Sequence, residues 1–120
     1  MAFVDQRRPG GILLWFLQRL TAAGLLILLL AHFYILHYYH DGFVTYRTVA
    51  ARLASPYWKA FDILFLTLAV FHGFNGLRTV VLEYIHREPL QQRLILLLWT
   101  VALVLLSIGV YSVAVFTVQS

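Results

Sequence analysis

Residues 58–77 read WKAFDILFLTLAVFHGFNGL, and this stretch decides the fold class. A helix of about 20 mostly apolar residues is long enough to cross the hydrocarbon core of a bilayer. Two further stretches, residues 20–39 and 94–116, have similar length and character. The sequence therefore predicts an all-α, polytopic membrane protein with three transmembrane helices.

The composition leaves little of the chain for a soluble domain. Of its 120 residues, 62% are hydrophobic and 12% are charged, which is too apolar for a soluble protein of this size. We expect a single membrane-anchor domain over residues 1–120, with helices at about 12–40, 57–84 and 90–117. The sequence contains no cysteine, which excludes disulfides and thiolate chemistry.

The distribution of basic residues predicts the orientation in the membrane. Six arginines lie before the first span or after the second: Arg7, Arg8, Arg19, Arg78, Arg87 and Arg93. The opposite side has three basic residues: Arg47, Arg52 and Lys59. This asymmetry predicts a cytoplasmic N-terminus and a C-terminus outside. The net charge of +4 reflects this topology and not nucleic-acid binding, because the basic residues do not cluster with aromatic ones on one face.

Local signals indicate where the second helix begins. Residues 41–56 are expected to form the external loop, and Pro56 marks the first turn of the helix, with Ser55 as its N-cap. Lys59 and Asp62 follow about one turn apart, so we expect them to form a local ion pair.

His72 carries the strongest functional signal. It lies near the middle of the second helix, and an ionisable side chain at that depth marks a functional site by default. Gly76, at i+4 on the same face, would let a flat porphyrin approach the helix, and Asn75 could hydrogen-bond within the bundle. The pattern predicts that His72 is an axial ligand of a haem iron. The alternative is a core histidine hydrogen-bonded to a neighbouring helix.

The other histidines differ in depth. His32 lies about 9 Å outward of the midpoint of the first helix and has no obvious partner in the chain. Because His32 and His72 differ in depth, we expect this chain to supply one ligand per haem and another polypeptide to supply the second. His37 and His40 are expected near the outer interface, and His86 is expected in the cytoplasmic loop.

Tyr84 and Glu83 lie at the predicted cytoplasmic edge. Tyr84 follows His72 by twelve residues, or about 18 Å along the helix. A phenolic hydroxyl can donate to a quinone carbonyl, and a carboxyl group at the water boundary can relay protons. The alternative is a tyrosine of the aromatic belt beside a solvated glutamate. Arg19 and Arg78 lie between the haem level and this edge, where they either bind anionic haem propionates or anchor the helices at the interface.

Three short motifs together resemble the small hydrophobic membrane-anchor subunit of succinate dehydrogenase (complex II): ASPYW at 54–58, FHGFNGLRT at 71–79, and Glu83-Tyr84. The similarity extends into the first helix and so covers nearly the whole chain, through residues 15–19, Thr21, Gly24 and His32. The chain looks most like the smaller, D-type anchor of bacterial enzymes with two anchor subunits of cytochrome b type.

The resemblance implies a role for several residues. His72 would ligate the haem b nearer the iron-sulfur subunit, and His32 would ligate an outer haem. Arg19 would approach a haem propionate. Tyr84 would hydrogen-bond the quinone, and Glu83 would occupy the acidic position beside it.

The resemblance also implies an electron-transfer chain shared among subunits. Succinate is oxidised at a flavin in a flavoprotein subunit, and electrons pass through an iron-sulfur subunit to menaquinone or ubiquinone at the anchor. One or two haem b groups are shared with a second membrane-anchor subunit, with either His32 or His37 as the ligand on the first helix. The chain would be a multi-pass protein of the inner (plasma) membrane, with lipid and no nucleic acid among its partners. Two competing readings are a cofactor-free structural anchor of three helices and a small transporter subunit with His72 in a proton path.

Overall fold

The computed structural model describes residues 11–39 and 43–117. These residues form four α-helices: α1 (Gly11–Tyr34), α2 (Tyr46–Leu53), α3 (Pro56–Tyr84) and α4 (Glu88–Ala114). A π-helical segment, Ile35–Tyr39, continues α1. Three of the helices are long and apolar enough to cross a membrane. The prediction of an all-α, polytopic protein with three transmembrane helices is therefore confirmed.

The short helix α2 lies inside the predicted external loop at 41–56 and was not predicted from the sequence. A capping box begins this helix. The Thr45 hydroxyl accepts from the Thr48 N–H at 3.2 Å, and the Thr48 hydroxyl accepts from the Thr45 N–H at 3.0 Å. Threonine stands where glutamate or glutamine usually completes this motif, so the sequence signal is weak. Ser55 is the N-cap of α3, as predicted, although its side chain makes no capping hydrogen bond.

The long helices run antiparallel to their neighbours, with α3 packed against both α1 and α4. Gly24 of α1 lies opposite Leu68 of α3, where a Cβ on the glycine would be 3.4 Å from the leucine methyl group. On the other side of α3, a methyl group of Leu66 occupies the space that a Cβ on Gly109 would need. Small residues at such crossings let the helix backbones approach closely, as is common in membrane bundles.

The predicted ion pair between Lys59 and Asp62 is wrong, because each side chain has a different partner. Asp62 accepts two hydrogen bonds from Arg52 of α2, at 3.2 and 3.0 Å. Lys59 donates instead to the carbonyls of Ala114 and Phe116, at 3.2 and 2.7 Å. The planar guanidinium matches the carboxylate with two parallel bonds, while the ammonium satisfies carbonyls left free where α4 ends. Asp62 thus ties α2 to α3, and Lys59 ties α3 to α4.

The apolar side chains of the described residues point mostly outward. Ala50 and Ala102 are the buried hydrophobic residues of the described chain, while large side chains such as Ile27 and Leu96 are 68% and 69% exposed. A soluble protein rarely exposes so continuous an apolar surface. In a bilayer the same surface contacts lipid, so the chain is a multi-pass membrane protein.

Candidate functional site

Four polar side chains meet where α1 crosses α3: Gln18 and Thr21 of α1, and His72 and Asn75 of α3. We call these residues the central polar cluster. Each pair is spaced i, i+3, which places both members on one face of their helix. Because α1 and α3 are antiparallel, the two faces meet, and polar groups that would be costly in lipid bond to one another.

The imidazole of His72 is held by α1 through one of its two ring nitrogens. Nδ1 lies 3.1 Å from the hydroxyl oxygen of Thr21. The other nitrogen, Nε2, makes no hydrogen bond to any residue in the described parts of the chain. The ring is therefore oriented by one nitrogen, while the second is available to a ligand.

The main chain at His72 is also bonded to α1. Gln18 Nε2 donates to the carbonyl oxygen of His72 at 3.1 Å. Asn75 Nδ2 donates to Gln18 Oε1 at 2.9 Å and to the carbonyl of Leu14 at 3.1 Å. Asn75 is only 2% exposed, so these bonds are shielded from water and lipid. The expectation that Asn75 hydrogen-bonds within the bundle is confirmed.

The expected role of Gly76 stays a prediction. A Cβ at Gly76 would lie 3.4 Å from Nε2 of Gln18, so this glycine lies on the face of α3 that packs against α1. A Cβ at Gly73 would have no described atom within 4 Å, so the next position along α3 is open.

His32 lies at a different depth from His72, as the sequence predicted. Its ring stacks on Phe65 and Phe61 with centroid distances of 5.3 and 6.1 Å. Those phenylalanines precede His72 by seven and eleven residues, so the two imidazoles are separated by about 10 to 16 Å along α3. His32 Nδ1 is 3.9 Å from Asp62 Oδ1, too far for a hydrogen bond, and has no partner among the described residues. One iron cannot bind both histidines.

His37, the alternative ligand on the first helix, lies in the π-helical segment. Its ring is exposed and packs on Phe33 with a centroid distance of 4.4 Å. Single π-helical turns are frequent at functional sites, but here the ring faces outward from the bundle of this chain. His40 lies outside the described residues.

Two arginines lie toward the same end of the bundle as the C-terminus of α3. The guanidinium carbon of Arg19 is 4.5 Å from the centroid of the Trp15 ring, in a cation–π contact that leaves the arginine exposed. Arg78 is half-buried and follows His72 by six residues, about 9 Å along α3. Both positive charges are thus closer to His72 than Tyr84 is.

Tyr84 and Glu83 are the last two residues of α3, and both are exposed. Tyr84 is 74% exposed, so its hydroxyl is accessible from outside this chain. The helix continues without interruption from His72 to Tyr84, which fixes their separation at about 18 Å. A phenol and a carboxylate side by side offer a hydrogen-bond donor and a proton acceptor at the predicted cytoplasmic edge.

The donor set suits a haem better than a bare metal ion. The described residues contain no group of three or more His, Cys, Asp or Glu side chains that could hold an ion. A haem iron needs axial ligands alone from protein, because the porphyrin supplies the equatorial nitrogens. One imidazole with Nδ1 bonded, and with Nε2 unbonded among the described residues, would suit that role.

The partners of His72 were not predicted from the sequence. No role was expected for Gln18, and Thr21 was named only among the residues that carry the family resemblance. A signal was present, since both are polar residues three positions apart within an apolar span. Pairing them with His72 and Asn75 requires the register between α1 and α3, which the sequence does not supply.

Comparisons with known proteins identify the family of the chain. Residues 7–114 match the family model described as succinate dehydrogenase/fumarate reductase transmembrane subunit. A succinate dehydrogenase hydrophobic membrane anchor subunit of Archaeoglobus fulgidus is 38% identical over 71 residues, covering 59% of this chain and 61% of that protein. A subunit of the same description from Thermoplasma acidophilum is 30% identical over 79 residues, covering 65% of this chain and 64% of that protein. The chain thus spans less than two thirds of the length of these relatives.

Proposed function

Because the chain belongs to the succinate dehydrogenase/fumarate reductase transmembrane subunit family, we propose that it is a membrane-anchor subunit of a succinate:quinone oxidoreductase that binds haem b and quinone. The observation that carries the proposal is the environment of the His72 ring: its depth in the helix and its hydrogen bonds. Its ring is oriented by Thr21 at 3.1 Å, deep within a membrane-spanning helix, and Nε2 has no partner among the described residues. An imidazole in that environment is prepared to bind iron.

In this proposal the imidazole of His72 would hold a haem b. When bound, a haem b would supply one-electron transfer between iron-sulfur clusters and quinone. A second membrane-anchor subunit would provide the other protein ligand of that haem, since His32 lies about 10 to 16 Å away along the direction of α3. His32 would hold a second, outer haem b.

Arg19 and Arg78 provide positive charge for the haem propionates. Both lie between the level of His72 and the end of α3, on antiparallel helices. An arginine can bind a propionate with two parallel hydrogen bonds, which would fix the orientation of the porphyrin. The contact of Arg19 with Trp15 leaves its guanidinium exposed and free to make such bonds.

Tyr84 and Glu83 form one wall of the quinone site. The Tyr84 hydroxyl donates a hydrogen bond to a quinone carbonyl, and Glu83 passes a proton from the water boundary. The 74% exposure of Tyr84 leaves the rest of the pocket to be built by the second anchor subunit and the iron-sulfur subunit. The ring bound there is that of menaquinone or ubiquinone.

In the proposed orientation this site faces the soluble subunits. The excess of arginines at the N-terminus and after α3 supports a cytoplasmic location for both. The iron-sulfur subunit docks there and carries the flavoprotein subunit, which oxidises succinate. This chain contributes the membrane anchor, one wall of the quinone pocket and haem ligands.

Co-purification tests the proposal. A tagged chain, expressed with its neighbouring subunits and extracted in mild detergent, should bring down a flavoprotein and an iron-sulfur protein. The preparation should reduce a quinone with succinate and show a haem b band in the reduced-minus-oxidised spectrum. Isolation of the chain in a colourless preparation with no succinate-dependent quinone reduction would contradict the proposal and favour a cofactor-free anchor or a transporter subunit.

A further inference from the structure

We propose that Thr21 is a positioning residue for the haem ligand: its hydroxyl accepts the Nδ1–H of His72, which leaves the lone pair of Nε2 for iron. This inference rests on the proposed function, since it assigns a role beside the same haem. The inference concerns which of two atoms carries the hydrogen of one bond: Thr21 Oγ1 and His72 Nδ1, which are 3.1 Å apart.

The direction of that hydrogen bond follows from the other contacts of the threonine. Thr21 Oγ1 lies 2.7 Å from the carbonyl oxygen of Leu17 and 3.1 Å from that of Gln18. A hydroxyl has one hydrogen to donate, and a carbonyl oxygen accepts but never donates. The hydroxyl hydrogen therefore points to the main chain of α1, with the shorter distance favouring Leu17. Only the lone pairs of Oγ1 remain for His72, so Nδ1 must be the donor.

The acceptor is held in a fixed place. Thr21 is 6% exposed, and a β-branched side chain bonded back to its own helix has few alternative rotamers. From the same helix as Thr21, Gln18 donates to the carbonyl of His72 at 3.1 Å, which fixes the height of His72 relative to α1. His72 is thereby held at both its main-chain carbonyl and its Nδ1 atom, so Nε2 has a defined direction.

A hydrogen bond of this kind changes the electronic character of the ligand. An acceptor at Nδ1 makes the imidazole a stronger donor at Nε2, and a stronger donor stabilises the oxidised iron more than the reduced iron. Thr21 should therefore lower the midpoint potential of the haem that His72 ligates. It should also help to retain the haem, since loss of such an outer contact weakens metal binding by about 10- to 100-fold.

The test compares hydroxyl-free and hydroxyl-bearing variants in the purified complex. Thr21→Val removes the acceptor, Thr21→Ala removes it with a smaller side chain, and Thr21→Ser keeps it. The matched control is Thr67→Val on α3, because the Thr67 hydroxyl bonds back to the Ile63 carbonyl at 2.7 Å. The readouts are the haem midpoint potential, the low-spin electron paramagnetic resonance signal and haem retention in detergent.

We expect a higher midpoint potential, an altered low-spin signal and about tenfold poorer haem retention in Thr21→Val and Thr21→Ala. Thr21→Ser and Thr67→Val should resemble the wild type. A potential and signal unchanged in Thr21→Val would overturn the inference, and so would an equal shift in Thr21→Ser. If Thr21→Val does not assemble, Thr21→Ala against Thr21→Ser decides the question. A wild-type complex without haem would refute the proposed function itself, whereas normal haem with an unshifted Thr21→Val refutes the role of Thr21 alone.

Discussion

Arg52 and Asp62 are joined by two parallel hydrogen bonds, Nη1 to Oδ1 at 3.2 Å and Nη2 to Oδ2 at 3.0 Å. Their side chains are 5% and 14% exposed, so the pair is largely removed from solvent. It fixes the short helix α2 against α3, beside the ring of His32. This end of the bundle therefore depends on an ion pair for which the sequence predicted a different partner of Asp62.

Asp62→Asn should destabilise the chain by about 3 kcal/mol, because it leaves the guanidinium of Arg52 buried without its counter-charge. The double variant Arg52→Gln/Asp62→Asn should lose less, since no unpaired charge remains. Thermal unfolding of the purified complex measures both. The control is a double-mutant cycle of Asp62→Asn with Lys59→Gln, whose effects should add because Lys59 bonds to the end of α4. Strong coupling of Asp62 to Lys59 with none to Arg52 would contradict the assignment.

Gln18→Leu should loosen the contact between α1 and α3. The substitution removes the bonds to the His72 carbonyl and to Asn75, which together contribute about 1 to 2 kcal/mol. Haem retention should fall with stability, because the position of His72 depends on that bond. Gln92→Leu, at an exposed position of α4, is the matched control. Equal unfolding temperatures and haem contents for the two variants would rule out a role for Gln18.

Tyr84→Phe should lower the rate of succinate-driven quinone reduction about tenfold, which corresponds to one hydrogen bond of about 1.4 kcal/mol. The haem content should stay normal, since Tyr84 is about 18 Å from His72 along α3. Tyr57→Phe is the control, because Tyr57 is 85% exposed near the opposite end of the same helix. An unchanged rate of quinone reduction in Tyr84→Phe would show that Tyr84 is a residue of the aromatic belt with no contact to quinone.

The haem count tests the role proposed for His32. A pyridine haemochrome assay should give two haems per wild-type complex and one in His32→Ala. His37→Ala should keep both, because the His37 ring is exposed and packs on Phe33. A single haem in the wild-type complex would contradict the proposal that His32 binds a second haem. Loss of one haem in His37→Ala, with both haems kept in His32→Ala, would identify His37 as the ligand instead.

Hydropathy was sufficient to predict the membrane-spanning architecture, because span length and apolar character are local properties of the sequence. Depth was predictable for the same reason, as the separation of His32 from His72 shows. The helix α2 was missed because Thr48 completes its capping box in place of the usual Glu or Gln. The packing of α2 against α3 places Arg52 beside Asp62. No local sequence pattern predicts this contact between two helices.

The candidate site was predictable in part. A histidine at mid-membrane is conspicuous by itself, so His72 could be identified from its position. Its partner Thr21 could not, because their contact depends on the register of two antiparallel helices. The same limit applies to Gly76: its place on the face of His72 was clear, but its contact with Gln18 of another helix was not.

Whether His72 binds a haem iron can be read from the reduced-minus-oxidised absorption spectrum of the assembled complex. We expect a haem b band in the wild type and in His86→Ala, because the His86 side chain is exposed in the loop after α3. In His72→Ala the haem bound by this residue should be lost while the soluble subunits stay bound. A band of full intensity in His72→Ala, or a colourless wild-type complex, would show that His72 does not bind haem.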